Sequence, residues 1–80
     1  MNISQAVIRR IEDLCRERNL SINALSNVSG VTQSTVNDIM NGKTYNAGIG
    51  TIKKLCDGFG ISVQHFFDSD LFSNLEQEIK

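Results

Sequence analysis

Residues 21–44, SINALSNVSGVTQSTVNDIMNGKT, restrict the fold more than any other stretch of this chain, because helix start and stop signals alternate in them at short intervals. The hydroxyl of Ser21 suits a helix start, where it accepts from the backbone N–H groups that the first turn leaves free. That helix is predicted to end near Ser29, and Gly30 fits the left-handed conformation that closes a helix and turns the chain without a Cβ clash. Thr32 is a second capping residue. The helix after it carries Val36, Ile39 and Met40 at spacings of three and four and stops at Asn41-Gly42. Two helices this short bury little on their own, so flanking segments must support them and one face of the second helix is left pointing outward.

At 100° per residue that outward face consists of Ser34, Asp38 and Asn41, with Asn37 beside them and Gln33 at the exposed N-terminal end. A solvated helix face more often carries Glu and Lys four residues apart. Amides, a hydroxyl and a carboxylate suit base edges: Gln and Asn bond adenine bidentately, Ser donates or accepts, and Asp accepts from the cytosine amino group. A plain polar face facing water is the competing reading of the same residues.

The run Leu25-Ser26, Gly30-Val31-Thr32-Gln33-Ser34-Thr35-Val36, Ile39 and Asn41-Gly42-Lys43 resembles the lambda-repressor-like, Cro/CI-type (XRE) helix-turn-helix family. The similarity continues through Ile52, Leu55, Phe59-Gly60-Ile61-Ser62 and Phe66-Phe67, and so spans about residues 3 to 68. No single motif decides it; the ordered set in register does. The resemblance implies an all-α, compact five-helix domain in which residues 32–41 enter the DNA major groove. It places base reading on Gln33, Ser34, Asn37 and Asp38, and phosphate contact on Thr32, Thr35, Asn41, Lys43, Thr44 and Asn46. Two positions depart from the pattern. Ile22 stands where many members carry a phosphate-binding Gln, and Ser26 replaces the usual Ala at the helix crossing, a small-for-small change that keeps the close approach. Asp38 is repelled by phosphates, so it either reads a cytosine or weakens binding to other sequences.

Eighty residues without proline or tryptophan make one small domain that buries roughly 60% of its unfolded surface. No apolar run approaches the ~20 residues that span a bilayer, and no basic-then-apolar leader stands at the start, so the expectation is a cytoplasmic protein with no membrane association. Cys15 and Cys56 fall on apolar positions of helical stripes. Without a C-x-x-C pair, and with His65 as the single histidine, they read as buried free thiols and no metal site is expected. The net charge of −1 is low for a DNA-binding domain, but it is unevenly spread. Residues 1–57 hold seven Lys or Arg against five Asp or Glu, and residues 58–80 hold one against four, which implies modest affinity and a shallow salt dependence.

From the start, Asn2 or Ser4 caps a long helix with Ile3, Val7, Ile8, Ile11, Leu14 and Cys15 inward, and Glu12 is predicted to pair with Arg16. Arg9 and Arg10 have two readings, solvation of the helix or contact with a phosphate. Asn19-Leu20 ends the helix. After the motif, residues 43–48 form a loop in which Lys43 is the best-placed cation and Tyr45 either lies along DNA or covers the core edge. A fourth helix over residues 49–59 turns Ile52, Leu55, Cys56 and Phe59 inward and Lys53 and Lys54 outward; Gly50 and Gly58 lower its helicity by roughly 1 kcal/mol each. Gly60 ends it, Ser62 caps a fifth helix, Val63, Phe66 and Phe67 close the core, and His65 reads as a structural or surface residue. Residues 1–68 thus form the domain. In residues 69–80, Leu71, Phe72, Leu75 and Ile79 recur at helical spacing, predicting an amphipathic tail that either folds back or pairs with a second copy.

Three function classes follow. A small dimeric repressor, binding double-stranded DNA with half-sites about 34 Å apart, fits the motif best. A protein-interaction module of the same fold, such as the antitoxin of a toxin-antitoxin pair, fits the low charge and apolar tail. An enzyme fits least: no nucleophile stands beside a base and no carboxylate cluster or phosphate-binding glycine loop is present, so no catalytic residue, cofactor or small-molecule ligand is assigned.

Overall fold

The computed structural model describes residues 1–43 and 47–79. Among these described residues five α-helices and one 3-10 turn follow in order: α1 Ile3–Glu17, α2 Ile22–Ser29, α3 Gln33–Met40, α4 Ile49–Phe59, α5 Val63–Phe67 and the turn Asp70–Phe72. The helix boundaries expected from caps and glycines agree with these within a residue or two.

The reason lies in the helix ends. Asn2, rather than Ser4, caps α1: its side chain accepts from the Gln5 N–H at 2.8 Å while the Gln5 side chain accepts from the Asn2 N–H at 2.9 Å, so two N–H groups without helical partners are satisfied at once. Ser21, Thr32 and Ser62 cap α2, α3 and α5 through the N–H groups of Ala24, Thr35 and His65. At the other ends the chain turns left-handed at Asn19 (φ 54°), Gly30 (φ 72°), Gly42 (φ 75°) and Gly60 (φ 75°). After α1, α3 and α4 the following two N–H groups close back on the last turn in a Schellman motif, as with Leu20 N–H to Cys15 O at 2.9 Å and Lys43 N–H to Asp38 O at 2.9 Å.

Around these ends one core forms. Val7, Ile11, Leu14 and Cys15 of α1 meet Leu25 of α2, Val36 and Ile39 of α3, Ile52, Leu55, Cys56 and Phe59 of α4 and Phe66 of α5, with Val31 of the turn between α2 and α3. Ala6 is also fully buried, an inward position that the large apolar stripe of α1 did not mark. Both cysteines are free and buried, and burial pushes both thiols above their ordinary range.

Gly58 has a role that its helix propensity conceals. It lies three residues after Leu55, on the inward side of α4, and a Cβ there would sit 2.9 Å from Ser29 Cβ and 3.0 Å from Ser29 Cα. The C-terminal ends of α2 and α4 therefore touch backbone to side chain at a spacing only glycine permits.

Four expectations are corrected. Arg16 pairs with Asp13 at 3.1 Å instead of Glu12, because Asp13 stands between Arg16 and Arg9 (3.7 Å) and serves both. Arg10 takes neither role foreseen for it: its guanidinium donates to Phe66 O at 2.7 Å and to His65 O at 2.9 Å, the second of which also accepts the Asp68 N–H, and so ties α1 to the end of α5. Phe67 only borders the core: the residue is 37% exposed, and its ring stands edge-on to Phe66 and Phe72 at 4.9 Å. The tail keeps its amphipathic character without its helix. Beyond the 3-10 turn no helical segment forms among the described residues; Phe72 packs on the core, Leu71 and Leu75 are half-buried, and Ile79 stays 87% exposed. Within the single chain the tail lies against the N-terminus: Glu76 N–H donates to Met1 O at 3.1 Å, and the N-terminal ammonium lies 3.5 Å from the Glu76 carboxylate.

Candidate nucleic-acid interface

α3 is anchored along one side and open along the other. Val36 is fully buried and Ile39 nearly so, and Met40 packs partly against the core. These three residues fix the helix rotation, since turning α3 by one position would withdraw Val36 from its contacts. Gln33, Ser34, Asn37 and Asn41 consequently face outward and are exposed. They form a polar row about two turns long, with Gln33 and Ser34 at the N-terminal end, where helix N–H groups and the positive end of the macrodipole favour anionic neighbours.

Asp38, on the same side of the helix, is half-buried rather than fully exposed. The chain beyond α3 closes back here, with Lys43 N–H donating to the Asp38 carbonyl at 2.9 Å. The same closure brings Lys43, exposed, next to the C-terminal end of α3.

Thr32 and Thr35 are tied to each other. Thr32 Oγ1 accepts from Thr35 N–H at 3.2 Å and donates to Thr35 Oγ1 at 2.9 Å, so any donation by the Thr35 hydroxyl is directed elsewhere than to Thr32. Both are exposed at the start of α3. Ile22, at the position where a polar phosphate ligand was wanted, instead packs partly on the core at the start of α2. Thr44 and Asn46, and Tyr45 between them, lie outside the described residues.

Other chemistry has little to draw on. Among the described residues no three His, Cys, Asp or Glu side chains gather into a metal-binding group, and no helix is long and apolar enough to cross a membrane. Lys53 and Lys54 of α4 are exposed, but Lys53 is engaged by Asp57 one turn on, which raises its pKa.

Missed by sequence reading were the residues that hold α3 rather than those it displays. Ser26 is 8% exposed and donates to Val31 O at 2.5 Å, and Ser29 Oγ accepts from Val31 N–H at 3.2 Å. The available signal was Ser26 itself, a hydroxyl at a crossing that needs only a small side chain.

Comparison with known proteins agrees with this architecture. A family model described as helix-turn-helix matches residues 11–66. The crystal structure of the prophage Lp1 protein 11 superposes with a TM-score of 0.81 at 34% sequence identity, covering 94% of this chain and 100% of the other. No curated protein matches. The family match, covering well over half the chain, and the paired helices α2 and α3 around Gly30 together show that this protein belongs to the XRE-type helix-turn-helix family of DNA-binding transcription regulators.

Proposed function

We propose that the protein is a sequence-specific regulator, a small dimeric repressor that reads an operator in the major groove with residues 32–41. The observation that carries this reading is the exposed polar row Gln33, Ser34, Asn37 and Asn41 on a helix whose opposite side is locked into the core by Val36 and Ile39. Gln33, Ser34 and Asn37 read base edges, and Asp38 selects for cytosine by accepting from its amino group. Thr32, Thr35, Asn41, Lys43, Thr44 and Asn46 hold phosphates and set the register. Two copies engage half-sites about 34 Å apart, and occupancy blocks polymerase without any chemical step in the cytoplasm.

Fluorescence anisotropy tests it, using DNA from immediately upstream of the protein's own gene against random duplex over a salt series. The expected outcome is a preference of ~10³ or more with two chains per site. Lys43→Ala weakens binding to all duplexes alike, while Gln33→Ala and Ser34→Ala each cost about 1–3 kcal/mol on the preferred site only. Equal losses on every duplex for all three variants would remove the assigned roles. Absence of binding even at low salt would leave the partner-protein reading, in which the same fold serves as the antitoxin of a toxin-antitoxin pair.

A further inference from the structure

We infer that Ser26 and Ser29 are positioning residues whose hydroxyls clamp the turn between α2 and α3 and so set the angle at which α3 is presented; its consequence for DNA rests on the reading above. Val31 sits in this turn, 7% exposed, immediately before the Thr32 cap of α3. Its peptide groups belong to neither helix ladder, and left unpaired at this depth they would be costly. Two serines of α2 take them both. Ser26 Oγ donates to Val31 O at 2.5 Å; Ser29 Oγ accepts from Val31 N–H at 3.2 Å and donates in turn to Ser26 O at 3.4 Å.

The clamp is braced from behind. Ser29 is pressed by α4 at Gly58, where a Cβ would come within 2.9 Å of Ser29 Cβ, so Ser29 cannot retreat from Val31 in that direction. A continuous line of contact therefore runs from α4 through Ser29 to Val31 and into the first residue of α3. Packing alone would accept alanine at position 26; the hydroxyl is needed only for the Val31 carbonyl.

Leverage makes this matter. An eight-residue α3 is about 12 Å long, so a 10° tilt at Val31 moves its far end by about 2 Å. Hydrogen bonds to base edges tolerate only about 0.5 Å in donor–acceptor distance. A loose turn would thus spare contacts at the start of α3 and lose those near Asn37 and Asn41.

The experiment compares wild type with Ser26→Ala, Ser29→Ala and the double variant, and with Ser21→Ala as a control that removes the α2 cap without touching the turn. Residual dipolar couplings report the orientation of α3 relative to α2, amide exchange reports Val31, and anisotropy reports affinity for the preferred and a random duplex. The double variant is expected to change the α2–α3 couplings and speed Val31 exchange about tenfold. It is also expected to lower affinity for the preferred duplex about tenfold, with random duplex within twofold and Ser21→Ala unchanged in all three. Unchanged couplings and exchange overturn the clamp, as does an equal loss of affinity on both duplexes or in Ser21→Ala, which marks mere destabilisation. Should wild type prefer no duplex, the DNA reading fails, and the couplings and exchange still decide for or against the clamp.

Discussion

Residues 21–43 and residues 69–79 both carry apolar side chains at helical spacing, yet only the first became regular helix. In the first, Val36 and Ile39 find the buried faces of the other helices, and Ser21, Gly30, Thr32 and Gly42 satisfy or terminate each helix end. In the second, Leu71, Phe72 and Leu75 recur at the same intervals, but only Phe72 reaches the core and Ile79 projects into solvent. A helix that buries one large side chain gains too little to offset the ordering of its backbone, about 1–2 kcal/mol per residue. Periodicity proposes a helix. Caps and an available surface decide whether it persists.

The sharpest way to break this contrast is to remove matched side chains from the two regions. Leu25→Ala, at a fully buried position, is expected to cost about 2–5 kcal/mol in urea denaturation. Ile79→Ala should leave the midpoint unchanged, within the ±0.5 kcal/mol usual for surface substitutions. A large effect of Ile79→Ala would show that the tail covers something, a second copy included.

The next largest effect concerns the contact between α2 and α4. Gly58→Ala replaces a poor helix former with the best one, so propensity alone predicts stabilisation of roughly 1 kcal/mol. Overpacking against Ser29 opposes it at typically about 1–3 kcal/mol. Thermal unfolding should show net destabilisation; a raised midpoint would mean that the helices separate freely. Gly50, with nothing within 4 Å of its missing Cβ, is the control, and Gly50→Ala should stabilise.

Caps come third. Thr32→Ala removes the acceptor for Thr35 N–H and should cost about 1 kcal/mol, read as a lower urea midpoint with an unchanged slope. Ser69→Ala removes an analogous bond to Leu71 N–H, yet the turn it begins is three residues long, so a smaller loss is expected.

The smallest effect is a pH signature of the core. Cys15 and Cys56 have thiols raised by burial above their ordinary range. As pH rises through the unfolded thiol pKa of about 8.5, the unfolded state releases protons that the folded state keeps, so stability is complete below that pH and declines above it. Replacing both cysteines by alanine should flatten the stability profile between about pH 8 and 10. An unchanged slope there would place the alkaline loss elsewhere.

The candidate interface was legible to a different degree on its two sides. That Gln33, Ser34, Asn37 and Asn41 face outward followed from the 3.6-residue period, because Val36, Ile39 and Met40 allow α3 one rotation only. Asp38 is less open than the other residues of that face, half-buried where they are exposed, a gradation that a helical wheel does not contain. Arg10 was misjudged for a related reason: its acceptors, the carbonyls of His65 and Phe66, lie 55 and 56 residues away.

What the amino-acid sequence by itself determined here is local. Caps, left-handed stops and apolar periods act over four residues or fewer, and they placed five helices, the turn at Gly30 and the outward face of α3. What only the tertiary structure decided is the set of relations between segments distant in sequence: Gly58 against Ser29, Arg10 on the end of α5, and the tail folded back to Met1. Those depend on which surfaces meet, and meeting is settled by shared burial and close packing of the whole chain, not by the propensities of any one stretch.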